Sequence, residues 1–154
     1  MGARTLVLGV GNLLRRDEGV GVHAARQLAA GEVPRGVEVL DGGTLGLELL
    51  AYLEGVERLL VIDCVETGAE PGAIFRFNPR SLPDWERQCR LSFHQVGILE
   101  ALEAARLLGY TPEVTVFGVQ PASLDWGMEP SPEVAAAIPR LLELIRQELA
   151  PTRA

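Results

Sequence analysis

The stretch Val7-Leu8-Gly9-Val10-Gly11-Asn12-Leu13-Leu14-Arg15-Arg16-Asp17-Glu18-Gly19-Val20-Gly21 reads as a buried strand, a glycine turn and a helix start carrying two adjacent acids. A dinucleotide-binding turn would need a third glycine or a small residue where Leu14 stands, so that helix and strand could pack closely. It would also need a helix N-terminus open to an anion, and Asp17 and Glu18 already bring negative charge there. Acids at the carboxyl end of a central strand suit a cation better than a phosphate.

Working outward, Thr5–Val10 is a continuous apolar run, as expected of a parallel strand buried on both faces. Asp17 is placed to cap a helix running to about Ala30, with Val20, Ala24 and Leu28 on one face. Val37–Leu40 reads as a second strand ending at Asp41. A short helix from about Leu45 to Leu53 leads to a third strand, Leu59–Asp63, again almost wholly apolar. Ala73–Phe77 reads as a short edge strand, and Asn78–Leu91 as a long loop bearing Trp85. Ser92-Phe93-His94-Gln95 has capping-box spacing and opens a helix to Leu108, with Gly109 as its stop. Val114–Val119 is a last strand. After a second loop, Gln120–Glu129, Ser131-Pro132-Glu133 starts a helix with the stripe Val134, Ile138, Leu141, Leu142, Ile145 and Leu149. Strands alternating with helices predict an α/β fold with a parallel sheet covered on both faces. No repeat or boundary divides the chain, so residues 1–154 are expected to form one domain.

Composition narrows the chemistry. The 154 residues are 47% hydrophobic and 23% charged, a globular balance with room for a core. The net charge of −7 argues against nucleic acid as a partner. No apolar run spans a bilayer and no signal-peptide pattern opens the chain, so no membrane partner is expected. Cys64 and Cys89 are too few for a disulfide scaffold, and a cytoplasmic location is the expectation. All 14 basic residues are arginine. That excludes a Walker-type phosphate loop, a Schiff-base lysine and a serine–lysine dyad. Any site that needs an imidazole must use His23 or His94.

Ligands of open parallel sheets bind beyond the carboxyl ends of the strands, where the strand order reverses. Glu18 follows the first strand, Asp63 ends the third, and His94 lies in the first turn of the helix after the long loop. All three fall on one rim. Two carboxylates and an imidazole suit a borderline divalent ion such as nickel or zinc, with positions left open for water or substrate. The helix dipole disfavours protonation of His94, and ligation requires the neutral ring. Each residue also has a structural alternative: Glu18 complementing a helix dipole beside Asp17, Asp63 capping a turn, His94 closing a capping turn. Asp41-Gly42-Gly43-Thr44 is a further candidate, since paired glycines allow close approach of a ligand; it also reads as an ordinary turn with Thr44 as N-cap. Cys64 reads as a buried structural cysteine because no cation stands adjacent to it, and His23 as a surface or packing residue.

At these residues the chain resembles the nickel–iron hydrogenase maturation endopeptidases. The Leu8-Gly9-Val10-Gly11-Asn12-Leu13 turn with Asp17-Glu18, the Asp41-Gly42-Gly43-Thr44 loop, Ile62-Asp63 and Ser92-Phe93-His94-Gln95 follow the family's order and approximate spacing over nearly the whole chain. Phe93 departs from members with a small residue or proline there, and removes no ligand. The resemblance implies a three-layer α/β/α sandwich around a mostly parallel five-stranded sheet. It implies an endopeptidase that removes the C-terminal extension of a hydrogenase large-subunit precursor after nickel insertion. It puts the metal contacts at Glu18, Asp63 and His94, the three already reached from position and chemistry. It also implies a catalytic role for Asp41, with Gly42, Gly43 and Thr44 against the substrate. Nickel is then expected to be supplied by the precursor, the one partner implied, and the protein to act as a monomer. A non-enzymatic nickel-binding or chaperone module would share the same ligands; a nucleotide- or flavin-binding protein rests on Gly9-Val10-Gly11 and fold analogy alone.

Overall fold

A computed structural model describes residues 4–79 and 93–150, with Phe93 and His94 described by backbone only. Strands β1 (Thr5–Val10), β2 (Val37–Gly43), β3 (Arg58–Cys64), β4 (Ile74–Phe77) and β5 (Glu113–Val119) form one five-stranded sheet in the order β2-β1-β3-β5-β4. The pairs β1–β2, β1–β3 and β3–β5 are parallel, and β4 is an antiparallel edge on β5. The helices are α1 (Val20–Ala30), α2 (Phe93–Leu107) and α3 (Pro132–Leu149), with 3-10 helices at Arg16–Gly19 and Leu47–Tyr52.

The strand period of two sorts the core into two layers. Val7, Leu60, Ile62, Phe117 and Val119 face α1 and α3, whose stripe of Val134, Ile138, Leu141, Ile145 and Leu149 is buried as the sequence pattern requires. Leu6, Leu8, Leu59, Val61 and Val116 face α2 and the Leu47–Tyr52 turn. The result is the expected α/β/α sandwich. Among the described residues no helix is long and apolar enough to cross a membrane.

Close packing of helix on strand comes from a different place than a dinucleotide turn would use. Leu14 is 53% exposed. The close approach is made at Gly21, where a Cβ would lie 2.0 Å from the Ile62 carbonyl oxygen and 2.4 Å from that of Val10. Both obstacles are backbone, so neither can rotate away. Gly21→Ala is therefore expected to destabilise the fold by at least about 2 kcal/mol through overpacking. The gain in helix propensity, about 1 kcal/mol, does not offset that. Urea denaturation measures it, and wild-type stability would refute the close contact.

Several local readings are corrected. Asp17 does not cap α1, which begins at Val20 with Gly19 at the N-cap and no side-chain cap bond. Strand β2 runs through Asp41 and Gly42 to Gly43, because β1 offers pairing partners along that length, Gly9 for Asp41 and Val10 for Gly43. The helix read at Leu45–Leu53 is the 3-10 segment Leu47–Tyr52 with Gly46 at its N-cap, so Thr44 caps nothing there. Ser131 does cap α3, accepting the Val134 amide at 3.3 Å with Pro132 at the helix start. The readings of Ser92 as N-cap, of the loop around Trp85 and of Cys89 lie outside the described residues.

Candidate functional site

The chain leaves β1 toward β2 on one side, and β3 pairs with β1 on the other. The switch point thus lies between β1 and β3, and at their carboxyl ends helices diverge to leave a crevice. Glu18 and Asp63 stand on its two sides. The 3-10 segment bearing Glu18 packs against β3. It also lies hard against the residue after β1, where Gly11, at φ +140°, has no Cβ; one would fall 1.8 Å from the Glu18 carbonyl oxygen. The Glu18 side chain is 15% exposed, and its Oε2 lies 3.5 Å from the Arg15 guanidinium.

Asp63 is more deeply set, at 3% exposure. Its Oδ1 accepts the Cys64 amide at 2.7 Å, and its Oδ2 accepts Nε2 of Gln95 at 2.6 Å. The same Gln95 nitrogen donates to the Cys64 carbonyl at 2.8 Å. Gln95 lies in the first turn of α2, directly after His94. That turn is therefore tied by one side-chain amide to the end of β3. An apolar cleft lined by Val61, Val65, Phe77, Ile98 and Val116 opens beside Asp63 and Gln95. Of the three predicted ligands, Glu18 and Asp63 are placed by side chain and His94 by backbone. Among the described residues no three metal-binding side chains form a cluster.

Strand alternation turns Cys64 to the opposite face, into the layer under α1 and α3. Burial pushes its thiol pKa up, and the carboxylates of Asp63, Glu18, Asp17 and Glu66 push it further in the same direction. A thiol held protonated is neither nucleophile nor soft ligand, in keeping with the structural role read from sequence.

Asp41 ends on the same rim but outside the crevice, on β2. It is 38% exposed, its Oδ2 accepts Arg26 Nε at 2.8 Å, and its Oδ1 accepts the Gly43 amide at 3.3 Å. The burial that a carboxylate base would draw on is not present at this residue. Gly43 has φ +53° and open space where a Cβ would be, while a Cβ on Gly42 would strike Leu8 at 2.7 Å. Thr44 is exposed.

Three residues of consequence carry no local sequence signal for what they do. Asp17, fully buried, accepts the amides of Ala122, Ser123 and Ser131 and the Ser131 hydroxyl at 2.7–2.9 Å. Arg15 joins Glu18 to the loop before α3, donating from Nε to the Leu124 carbonyl at 3.1 Å and lying over the Trp126 ring at 5.9 Å. Gln95 was legible only as a capping residue. His23, in α1, is partly buried; among the described residues its Nε2 has no hydrogen-bond partner, and burial, then Arg26, lower its proton affinity.

A family model described as hydrogenase maturation protease matches residues 22–148. The hydrogenase expression/formation protein HupD of Bradyrhizobium diazoefficiens is 41% identical over 150 residues, covering 96% of this chain and 78% of that protein. The hydrogenase 2 maturation protease of Escherichia coli is 36% identical over 145 residues, covering 92% of this chain and 88% of that protein. The solved structure of the hydrogenase maturating endopeptidase HybD from E. coli matches with a TM-score of 0.87 at 36% identity, over 95% of this chain and 91% of that one. A NiFe hydrogenase maturation protease HybD from Thermococcus kodakarensis gives a TM-score of 0.80 at 29% identity, over 96% and 99%.

Proposed function

The chain belongs to the hydrogenase maturation protease family, and on that premise we propose that it removes the C-terminal extension of a nickel–iron hydrogenase large-subunit precursor once nickel has been inserted. The observation that supports this reading is the placement of Glu18 after β1 and of Asp63 near the end of β3, on the two sides of the switch point, with Asp63 bonded to Gln95 in the helical turn that holds His94. Two carboxylates and an imidazole accept nickel but are too hard a set to hold it tightly alone. Nickel is then part of the substrate. The precursor's own cysteine thiolates carry it, and Glu18, Asp63 and His94 complete its surroundings on docking. A precursor without nickel gains nothing from these three residues, and that difference in affinity is the gate.

Cleavage is assigned to the part of the same rim formed by the end of β2. Asp41, oriented by Arg26 and the Gly43 amide, faces the scissile peptide along Gly42-Gly43 and Thr44. Its carboxylate takes a proton from water as the oxygen adds to the carbonyl carbon, then returns it to the departing amine as the C–N bond breaks. A precursor lying over the rim supplies the burial that the free protein lacks at Asp41.

The test is the intact mass of nickel-loaded precursor after incubation, beside nickel-free precursor and a His94→Ala variant. Loss of a C-terminal fragment is expected only with nickel and with His94 intact. Binding of loaded precursor without any mass change would overturn the cleavage reading and leave a nickel-binding module. Asp41→Asn is expected to abolish cleavage while nickel-dependent binding persists. Cleavage at the wild-type rate would remove Asp41 from the reaction.

A further inference from the structure

Gln95 makes two hydrogen bonds with a single nitrogen, to Asp63 Oδ2 at 2.6 Å and to the Cys64 carbonyl at 2.8 Å. The first is short and holds Oδ2 in place. With the Cys64 amide on Oδ1 at 2.7 Å, each oxygen of the Asp63 carboxylate is held by a donor from a different element. Rotation about its χ2 is blocked from both sides. The second bond does something separate: it fixes the first turn of α2 against the last residue of β3. His94 precedes Gln95 in that turn, so the spacing between the His94 backbone and Asp63 is set by the same side chain.

We propose that Gln95 is a positioning residue of the site, which holds the Asp63 carboxylate in one orientation and sets the distance of the His94 turn from it. The proposal rests on the reading of Asp63 and His94 as nickel contacts. Groups that orient a ligand commonly influence affinity as ligands themselves do, and their loss costs about 10- to 100-fold. In this role Gln95 acts through Asp63, to which its amide is bonded.

The experiment uses the full chain and Co²⁺ alone as probe, followed by its d–d absorption, with thermal unfolding of the metal-free protein in parallel. Gln95→Met keeps the volume and removes the donor. Gln95→Asn keeps the amide but withdraws it by one methylene, and it serves as the second variant should the first fail to fold. Both are expected to raise the Co²⁺ dissociation constant by about tenfold or more and to alter the d–d band. For nickel-loaded precursor, KM is expected to rise by a similar factor with little change in kcat. A merely structural role would lower the unfolding temperature and leave band and affinity unchanged, and that result overturns the proposal. Asp63→Asn separates the two levels of inference. Loss of binding in Asp63→Asn with wild-type binding in the Gln95 variants defeats the role of Gln95 alone. Wild-type Co²⁺ binding in Asp63→Asn defeats the ligand reading and the proposal with it.

Discussion

Asp17→Ala is expected to destabilise the protein by about 3–5 kcal/mol, a third or more of the stability of an ordinary domain. The carboxylate is fully buried and receives four hydrogen bonds, from the amides of Ala122, Ser123 and Ser131 and from the Ser131 hydroxyl. Taking a charge out of water costs several kcal/mol, and these four bonds offset it. Alanine removes the acceptor and leaves the donors, of which the Ser131 amide is itself buried. Each unpaired buried donor costs about 1–3 kcal/mol. Thermal unfolding should show a fall in Tm of roughly 10 °C for a chain of this size. Ser131→Ala removes one of the four bonds and the cap on α3, and should cost about 1–2 kcal/mol. An Asp17→Ala loss under about 1 kcal/mol would mean that water replaces the carboxylate at little cost, and would remove Asp17 as an anchor.

The same variant should impair the site even where it folds. Arg16, next in the chain, sits at φ +45°, a left-handed conformation that costs a non-glycine residue about 1–3 kcal/mol. It is held by clamps to the loop before α3: the Arg16 amide to the Gly127 carbonyl at 2.9 Å, the Asp17 amide to the Ser123 carbonyl at 3.2 Å, and the Asp17 carboxylate network. Glu18 follows directly, so the anchor that offsets the strain also places the proposed nickel contact. Its loss is expected to lower kcat/KM for nickel-loaded precursor at temperatures where the variant remains folded.

What could be read from sequence was whatever short-range patterns encode. The alternation of apolar runs with helical stripes predicted the layers, and Asp63 was visible because an acid ends a strand that is otherwise apolar. Glu18 was visible by adjacency to β1. Long-range polar contacts were not visible. Asp17 looks like an N-cap because caps are local, while its partners lie 105–114 residues away. Asp41-Gly42-Gly43 looks like a loop because paired glycines weaken a strand. Pairing with β1 overrides that weakness, and the Leu8 side chain occupies the space that a Cβ on Gly42 would need. The capping-box spacing at Gln95 gave no hint of Asp63, 32 residues earlier, as the receiver of its amide hydrogen. The site's geometry thus depends on contacts that only the sheet topology creates.

Glu18→Gln is expected to lower cleavage of nickel-loaded precursor on the order of 100-fold while leaving the fold intact, and it is the sharpest test of the gate. The substitution is isosteric, and thermal unfolding beside wild type separates any loss of stability from a loss of gating. What changes is the charge facing the crevice: an amide oxygen is a much poorer partner for a divalent ion than a carboxylate. A hundredfold change corresponds to about 2.7 kcal/mol, a reasonable share for one of three contacts in a gate built on differential affinity. The decisive quantity is the ratio of precursor affinities with and without nickel. Wild-type protein should favour loaded precursor strongly, and Glu18→Gln should reduce that ratio chiefly by weakening the loaded complex. The affinity for nickel-free precursor should stay where it was, because the remainder of the docking surface is untouched. Affinity measured against both precursors by titration checks this directly. If Glu18→Gln weakened both alike, Glu18 would be a docking residue without a role in sensing nickel, and discrimination would have to reside in Asp63 and His94.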